Sequence, residues 1–227
     1  MNLRSIFRRK NIYSKISYSQ CGEDLIILYL FRLIGIKKPS YLDIGAHHPE
    51  FLSNTALFYN KGCRGLNIEP NPILFNEFLI KRKKDINLNI GIGPKEEILD
   101  FYCMKDSTLS TFSKKEYDLL ISSKKELDYL SKIKVVPISD VLEKYFDSKF
   151  PDLLSIDVEG LDLEILKTID FSLFSPKVIC VETSGYSPDG RGLKNIEMIN
   201  FLEDQGYFEY SNTYLNSIFV LKSIWFA

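Results

Sequence analysis

The chain has 227 residues, 45% of them hydrophobic and 26% charged, with a formal net charge of −1. A chain of this length and ordinary globular composition can bury about 70% of the surface its unfolded form exposes, so its core needs no metal or disulfide staples. The near-zero charge argues against the broad positive field of a nucleic-acid-binding protein. The four cysteines (Cys21, Cys63, Cys103, Cys180) lack CxxC spacing, which argues against a structural zinc site and a disulfide framework.

Arg4, Arg8, Arg9, Lys10 and Lys15 crowd the start of the chain. They predict a basic tail over residues 1–18, either solvated or weakly attached to an anionic membrane surface or acidic partner. No apolar run approaches the ~20 residues of a membrane span, and the N-terminus lacks the apolar core of a signal peptide. The expected location, with thiols reduced, is the cytoplasm.

Residues 19–227 read as one domain. SQCGED (19–24) is polar and turn-like and leads into LIILYLFRLI (25–34), apolar on nearly every side and stopped by Gly35, a buried-helix pattern. YLDIGAHH (41–48) is a short apolar strand ending in Asp and Gly, followed by a helix-like LSNTALFYNKG. GLNIEPNP (65–72) is a second strand, after which Asn71 can cap a helix and Pro72 suits its first turn. That helix places Ile73, Leu74, Phe78 and Leu79 on its apolar side, with KRKK (81–84) at its negative pole.

INLNIGIG (86–93) reads as one strand and EILDFYCM (97–104) as another, paired to the sheet or its rim. Residues 105–132 are Ser/Thr-rich and then Lys/Glu-rich, and predict a substrate-side insertion or flexible cover with a helical segment. VVPISDVLEKYF (135–146) holds a short strand and a short helix. DLLSIDVEG (152–160), a helix over 161–169, KVICVETSG (177–185), a helix over 193–205 and a hairpin over 207–222 complete the chain. Strands alternating with helices predict a doubly wound, mostly parallel α/β sheet, and apolar runs such as LLSI and VICV suit strands covered on both faces.

Such sheets bind ligands beyond the carboxyl ends of their strands. Asp43-Ile44-Gly45, Glu69, Asn89, Asp157-Val158-Glu159 and Glu182 stand there, and a carboxylate at the end of a buried strand is unfavourable unless paired or presented to a ligand. Glu69 can accept hydrogen bonds from both ribose hydroxyls of a nucleoside cofactor, whether a nicotinamide or a sulfonium. The first loop discriminates between the two. It reads Gly45-Ala46-His47-His48-Pro49, without the GxGxxG turn that brings pyrophosphate close to bare backbone. This disfavours an NAD-dependent oxidoreductase. Asp43 beside a glycine turn suits the amino-acid end of S-adenosylmethionine, although an Asp43 that merely caps backbone is the bland alternative.

With these residues assembled, the chain resembles the FkbM family of S-adenosylmethionine-dependent methyltransferases. The resemblance runs through SQCGEDL (19–25), YLDIGAHHPEFLSNT (41–55), GLNIEPNP (65–72), LLSIDVEGLDLEIL (153–166), KVICVET (177–183) and NTYLNSIFV (212–220). It implies a class I methyltransferase (Rossmann-like) fold, a seven-stranded sheet of order 3-2-1-4-5-7-6 with the seventh strand antiparallel in a C-terminal hairpin. It also implies O-methylation, commonly of a sugar in a surface polysaccharide or its precursor, or of a hydroxyl in a secondary metabolite. The glycine-poor first loop departs from the generic methyltransferase pattern.

Methyl transfer needs in-line alignment, exclusion of water and removal of the acceptor proton. Asp157 is the candidate at the reaction centre, as base, positioning group or metal ligand. Glu159 either joins it or caps the 161–169 helix. Asp157 and Glu182, on adjacent strand ends, resemble the paired acids that hold a divalent cation in catechol-type methyltransferases. Oxygen ligands suit Mg²⁺ or Mn²⁺, with His47 or His48 completing the shell. His47 and His48, the only histidines, are also candidate bases, or else they pack and bond the loop. Gln20, Asp24, Asn89 and Ser107 join Asp43, Gly45, Glu69 and Asp157 as candidate cofactor contacts. For a phosphorylated acceptor, Arg64, Arg191 and Lys194 are the available cations. An N-containing acceptor, a non-catalytic cofactor-binding module and a homodimer are further readings.

Overall fold

A computed structural model of the chain describes residues 13–147, 149–173, 175–185, 187 and 192–227. Most of the expected basic tail, including Arg4, Arg8, Arg9 and Lys10, lies outside the described residues, as does Arg191.

In chain order the elements are α1 (Glu23–Leu33), β1 (Tyr41–Ile44), α2 (Ala56–Asn60), β2 (Gly65–Ile68), α3 (Pro72–Lys81), β3 (Ile86–Leu88), β4 (Gly91–Ile92), β5 (Glu97–Met104), α4 (Lys114–Ser122), β6 (Leu127–Val136), α5 (Ile138–Phe146), β7 (Leu153–Ile156), α6 (Asp162–Lys167), β8 (Val178–Glu182), α7 (Ile196–Asp204), β9 (Tyr207–Asn212), β10 (Asn216–Leu221) and α8 (Lys222–Trp225). Seven strands form one sheet in the order β3-β2-β1-β7-β8-β10-β9, and β4-β6-β5 form a second. In the large sheet only β10 runs antiparallel to its neighbours. Numbered within that sheet alone, the order is the 3-2-1-4-5-7-6 that the family resemblance implies.

Both faces of the sheet are covered, and the two-residue period of its strands sorts side chains between them. Leu42, Ile44, Leu66, Ile68, Leu154 and Ile156 join one core cluster with helices α5, α6 and α7. Tyr41, Leu153, Val178 and Cys180 point the other way, into a cluster with α1 and Phe58 of α2. This two-sided burial is why the central strands read as continuous apolar runs.

The parallel register places the site. Ile44 pairs with Ile68 and with Ile156, and Ile156 pairs with Val181. Gly45, Glu69, Asp157 and Glu182 therefore leave the sheet at one level. The chain moves outward from β1 toward β2 on one side and from β7 toward β8 on the other, opening a crevice at that switch.

The structure corrects four expectations. The 86–93 run is two strands: β3 closes the large sheet, and β4 turns away to β6. At Gly91 a Cβ would stand 2.6 Å from the Phe112 ring, so that ring packs directly on this backbone. Strand β5 pairs with β6 of the small sheet rather than with the large sheet. The 105–132 segment holds the expected helix, α4, but also the start of a strand, since β6 begins at Leu127, with Leu127, Tyr129, Ile133 and Val135 more buried than the lysines between them. Finally, α3 buries Phe78 but leaves Ile73 62% and Leu79 49% exposed, while Arg82, expected at the helix's negative pole, is 1% exposed. Its Asn71 cap forms as expected, accepting from the N–H groups of Ile73 and Leu74.

Candidate active site

The crevice is a cavity of about 340 Å³ lined by Gln20, Asp43, Gly45, His47, Glu69, Ser107, Asp157 and Glu182 among others. Nine of the sequence candidates, Glu159 included, thus converge there. Of the proposed catalytic and cofactor residues, Asp24, His48 and Asn89 do not line it.

Its β1–β2 side is built of engaged carboxylates. Asp43 Oδ2 accepts from the Thr55 hydroxyl (2.6 Å). Burial pushes Asp43 above its ordinary value, opposed by Thr55, by the nearby Arg82 guanidinium and by Ser155. Glu69 Oε2 accepts from the His47 backbone N–H (2.7 Å) and Oε1 from that of Asn71 (2.6 Å). Burial pushes Glu69 up to about 8 despite these two donors. Gly45 has φ 75°, and a Cβ there would stand 1.8 Å from the Asp157 carbonyl oxygen. Only glycine lets the β1 and β7 loops meet so closely.

His47 has φ 53°, uncommon for a non-glycine residue, and its Nε2 pairs with the Ser107 hydroxyl at 3.0 Å. Its Nδ1 is buried and has no hydrogen-bond partner among the described residues. Burial lowers its pKa, which favours the neutral ring. The wall beyond Ser107 is apolar: Phe101, Leu109 and Phe112 line it, with the two phenyl rings 4.6 Å apart. Sequence reading missed this wall. The segment's polar composition hid it, because Phe112 reaches the crevice only through the β5–α4 connection.

The three candidates outside the cavity have structural partners. Asp24 accepts from the Ser17 and Ser19 hydroxyls and the Tyr18 N–H, pinning the segment ahead of α1. Asn89 donates to the carbonyls of Glu69 and Pro70, at 2.8 and 2.9 Å, and so shapes the Glu69 loop from behind. His48 Nδ1 accepts from the N–H groups of Glu50 and Phe51 and is turned into its own loop, which removes it as a base at the crevice.

The β7–β8 side contrasts with this. Carboxylate oxygens of Asp157, Glu159 and Glu182 all lie within 4.8 Å of one another. Glu159 holds φ 53° and its carbonyl accepts from Thr111 Oγ1 at 3.0 Å. It does not cap α6: Asp162 does the local work, accepting from the Val158 N–H. No hydrogen-bond donor among the described residues reaches the three carboxylates. Burial pushes all three above the usual carboxylate range, helped by repulsion from neighbouring acids: Asp162 and Asp43 act on Asp157, and Asp157 acts on Glu159 and Glu182. Lys194 is the cation near Glu182, and its amino group donates to Thr183 Oγ1 at 2.7 Å. Neither histidine belongs to this cluster, which corrects the expectation that an imidazole completes a metal shell with Asp157 and Glu182.

A doubly wound sheet of this order, with its crevice at the β1/β7 switch, is the architecture of a class I methyltransferase. The match to the methyltransferase FkbM domain model spans residues 43–208, and the chain belongs to that family. Among solved structures it is similar to methyltransferase FkbM from Methylobacillus flagellatus, with 15% identity and a TM-score of 0.48 over 81% of this chain. The chain covers only 43% of that protein's length. A TehB-like SAM-dependent methyltransferase from Corynebacterium glutamicum matches at 11% identity and TM-score 0.45, over 88% of each chain. The 1,6-didemethyltoxoflavin-N1-methyltransferase of Burkholderia thailandensis matches at 10% identity and TM-score 0.43, over 87% of this chain and 74% of that one. Among curated proteins, none matches.

Proposed function

We propose that the protein transfers the methyl group of S-adenosylmethionine to a hydroxyl of a sugar or surface-polysaccharide precursor in the cytoplasm. The observation that carries this reading is the pair Asp43 and Glu69, held at one level at the β1–β2 side of a crevice whose first loop has no phosphate-binding turn. The sulfonium donor supplies an already activated methyl group, so the chain's own residues need only bind, orient and exclude water.

Glu69, fixed by two backbone donors, keeps lone pairs for the ribose hydroxyls. Asp43 receives the ammonium of the donor's amino-acid end. Phe101, Leu109 and Phe112 supply an apolar wall for the adenine, and Ser107, tied to His47, its polar edge. His47 thereby serves the donor side of the crevice. Asp157 orients the acceptor hydroxyl or takes its proton, and its raised pKa suits proton exchange near neutral pH.

The acceptor side favours a neutral or cationic molecule. A further cavity of about 270 Å³ continues from the crevice and is lined by Glu116, Glu159, Asp162 and Glu182. Carboxylates accept hydrogen bonds from sugar hydroxyls and repel phosphate. Of the cations considered for a phosphate, the two among the described residues are engaged elsewhere: Arg64 donates to the Tyr59 and Cys63 carbonyls, and Lys194 to Thr183 and Ser217. A protonated amine on the acceptor is the second reading, for the same acidic lining complements it. The Asp157, Glu159 and Glu182 oxygens also have the spacing and hard-donor chemistry of a Mg²⁺ or Mn²⁺ site. An ion held there would lower the acceptor hydroxyl's pKa.

Mass spectrometry of surface carbohydrate from cells with and without the active protein tests the proposal. The expected outcome is one sugar heavier by a single CH₂ unit when the protein is active. Thermal stabilisation by NAD⁺ and not by S-adenosylhomocysteine would sink the donor assignment.

A further inference from the structure

The KRKK run stands at the negative pole of α3, yet the Arg82 side chain lies in the interior behind the crevice. Its Nε donates to Asp85 Oδ2 at 3.0 Å and its Nη1 to the Pro49 carbonyl at 3.1 Å. Its Nη2 reaches the Tyr41 hydroxyl and Thr55 Oγ1, both at 3.0 Å, and Asn67 Oδ1 at 3.3 Å. The guanidinium also stands over the Tyr59 ring, 4.7 Å from its centroid. Asp85 is satisfied on its own account by the Tyr41 hydroxyl (2.6 Å), the Asn67 amide (3.1 Å) and the Gly65 N–H (3.2 Å).

A buried ion pair is a weak source of stability, because desolvating both charges offsets most of their attraction. The pair does, however, extend to the crevice. Thr55 Oγ1, facing Arg82, donates to Asp43 Oδ2 at 2.6 Å. Arginine carries only donors, so the threonine oxygen must accept from it, and its single proton is left for Asp43. The direction of the chain of bonds is therefore set by Arg82. Through the Pro49 carbonyl, the same guanidinium also steadies the loop that carries His47.

We propose that Arg82 is a positioning residue for the methyl donor: acting through Thr55, it holds the Asp43 carboxylate aimed into the crevice to receive the donor's ammonium. This rests on the donor reading above.

The test compares two ligands that differ only at the end Asp43 faces. S-adenosylhomocysteine carries the amino-acid group, whereas 5′-methylthioadenosine lacks it. Calorimetric titration of Thr55→Val should show S-adenosylhomocysteine binding weakened about tenfold to a hundredfold, the range for a hydrogen bond to a charged group. Binding of 5′-methylthioadenosine should be unchanged, and Thr55→Ser, which restores the hydroxyl, should recover the loss. Arg82→Lys should weaken S-adenosylhomocysteine in the same selective way, and adding Thr55→Val to it should cost nothing further, because the two act as one unit. Equal losses for both ligands, no loss for either, or additive losses in the double variant would overturn the relay while leaving the donor reading standing. If the unmodified protein binds neither nucleoside, both fall. Should Arg82→Lys fail to fold, the valine and serine variants at Thr55 still decide the matter.

Discussion

The two sides of the crevice are built on different principles. On the β1–β2 side each carboxylate is already hydrogen-bonded: Glu69 by two backbone N–H groups, Asp43 by the Thr55 hydroxyl. On the β7–β8 side Asp157, Glu159 and Glu182 crowd within 4.8 Å and receive no donor from the described residues. Preorganised groups bind a constant ligand with little reorganisation. Repelling groups are stabilised only when the ligand brings protons, hydroxyls or positive charge. The first side thus fits a fixed donor molecule, and the second leaves its acceptor to complete the site.

The sharpest way to break that contrast is Asp157→Asn. On the acceptor identified by mass spectrometry, turnover at saturating donor should fall by about 10²- to 10⁴-fold, the range for a lost acid–base group. S-adenosylhomocysteine affinity, measured by calorimetry, should change little. A large loss of affinity with turnover intact would place Asp157 on the wrong side. Next in size, Glu69→Ala should weaken S-adenosylhomocysteine about a hundredfold, as two hydrogen bonds from the ribose are lost. Binding within a few-fold of the unmodified protein would remove Glu69 from the donor site.

A pH series sharpens the comparison. Glu69, pushed up to about 8, and Asp162, pushed up to about 6, keep protons in the folded chain that unfolded carboxyls release near pH 4 to 4.5. Folding therefore takes up protons, and this contribution is full below pH 4 and is lost as pH rises through 6 and then 8. The cluster at Asp157 shifts in the same direction. The ligand-free protein should melt several degrees lower at pH 8.5 than at pH 5.5. If Mg²⁺ or Mn²⁺ occupies the cluster, millimolar amounts should recover part of that loss at pH 8.5, and Asp157→Asn should abolish the recovery. The smallest effect belongs to His48→Asn, which should cost about 1 kcal/mol of loop stability in chemical denaturation and leave turnover unchanged. A strong loss of turnover would return His48 to the chemistry.

Much of this was legible locally. Asp43, Glu69, Asp157 and Glu182 stood out because each follows a short apolar strand, and parallel strands align their carboxyl ends. The phosphate-free loop at Gly45 was equally plain. Asp24, Asn89 and His48 were misplaced for one reason: a polar residue beside a site is indistinguishable in sequence from one within it. Whether it faces a ligand or a backbone N–H depends on a few ångströms of loop path.

By itself, then, the sequence determined the strand–helix rhythm, the doubly wound sheet and the acids at its carboxyl edge, since these follow from periodicity and from the chirality of β–α–β crossovers. Only the tertiary structure decided that Arg82 turns inward, that Phe101 and Phe112 wall the crevice, and that Glu159 joins Asp157 and Glu182. Each of those outcomes is a contact between segments far apart in the chain, and no local pattern encodes the partner.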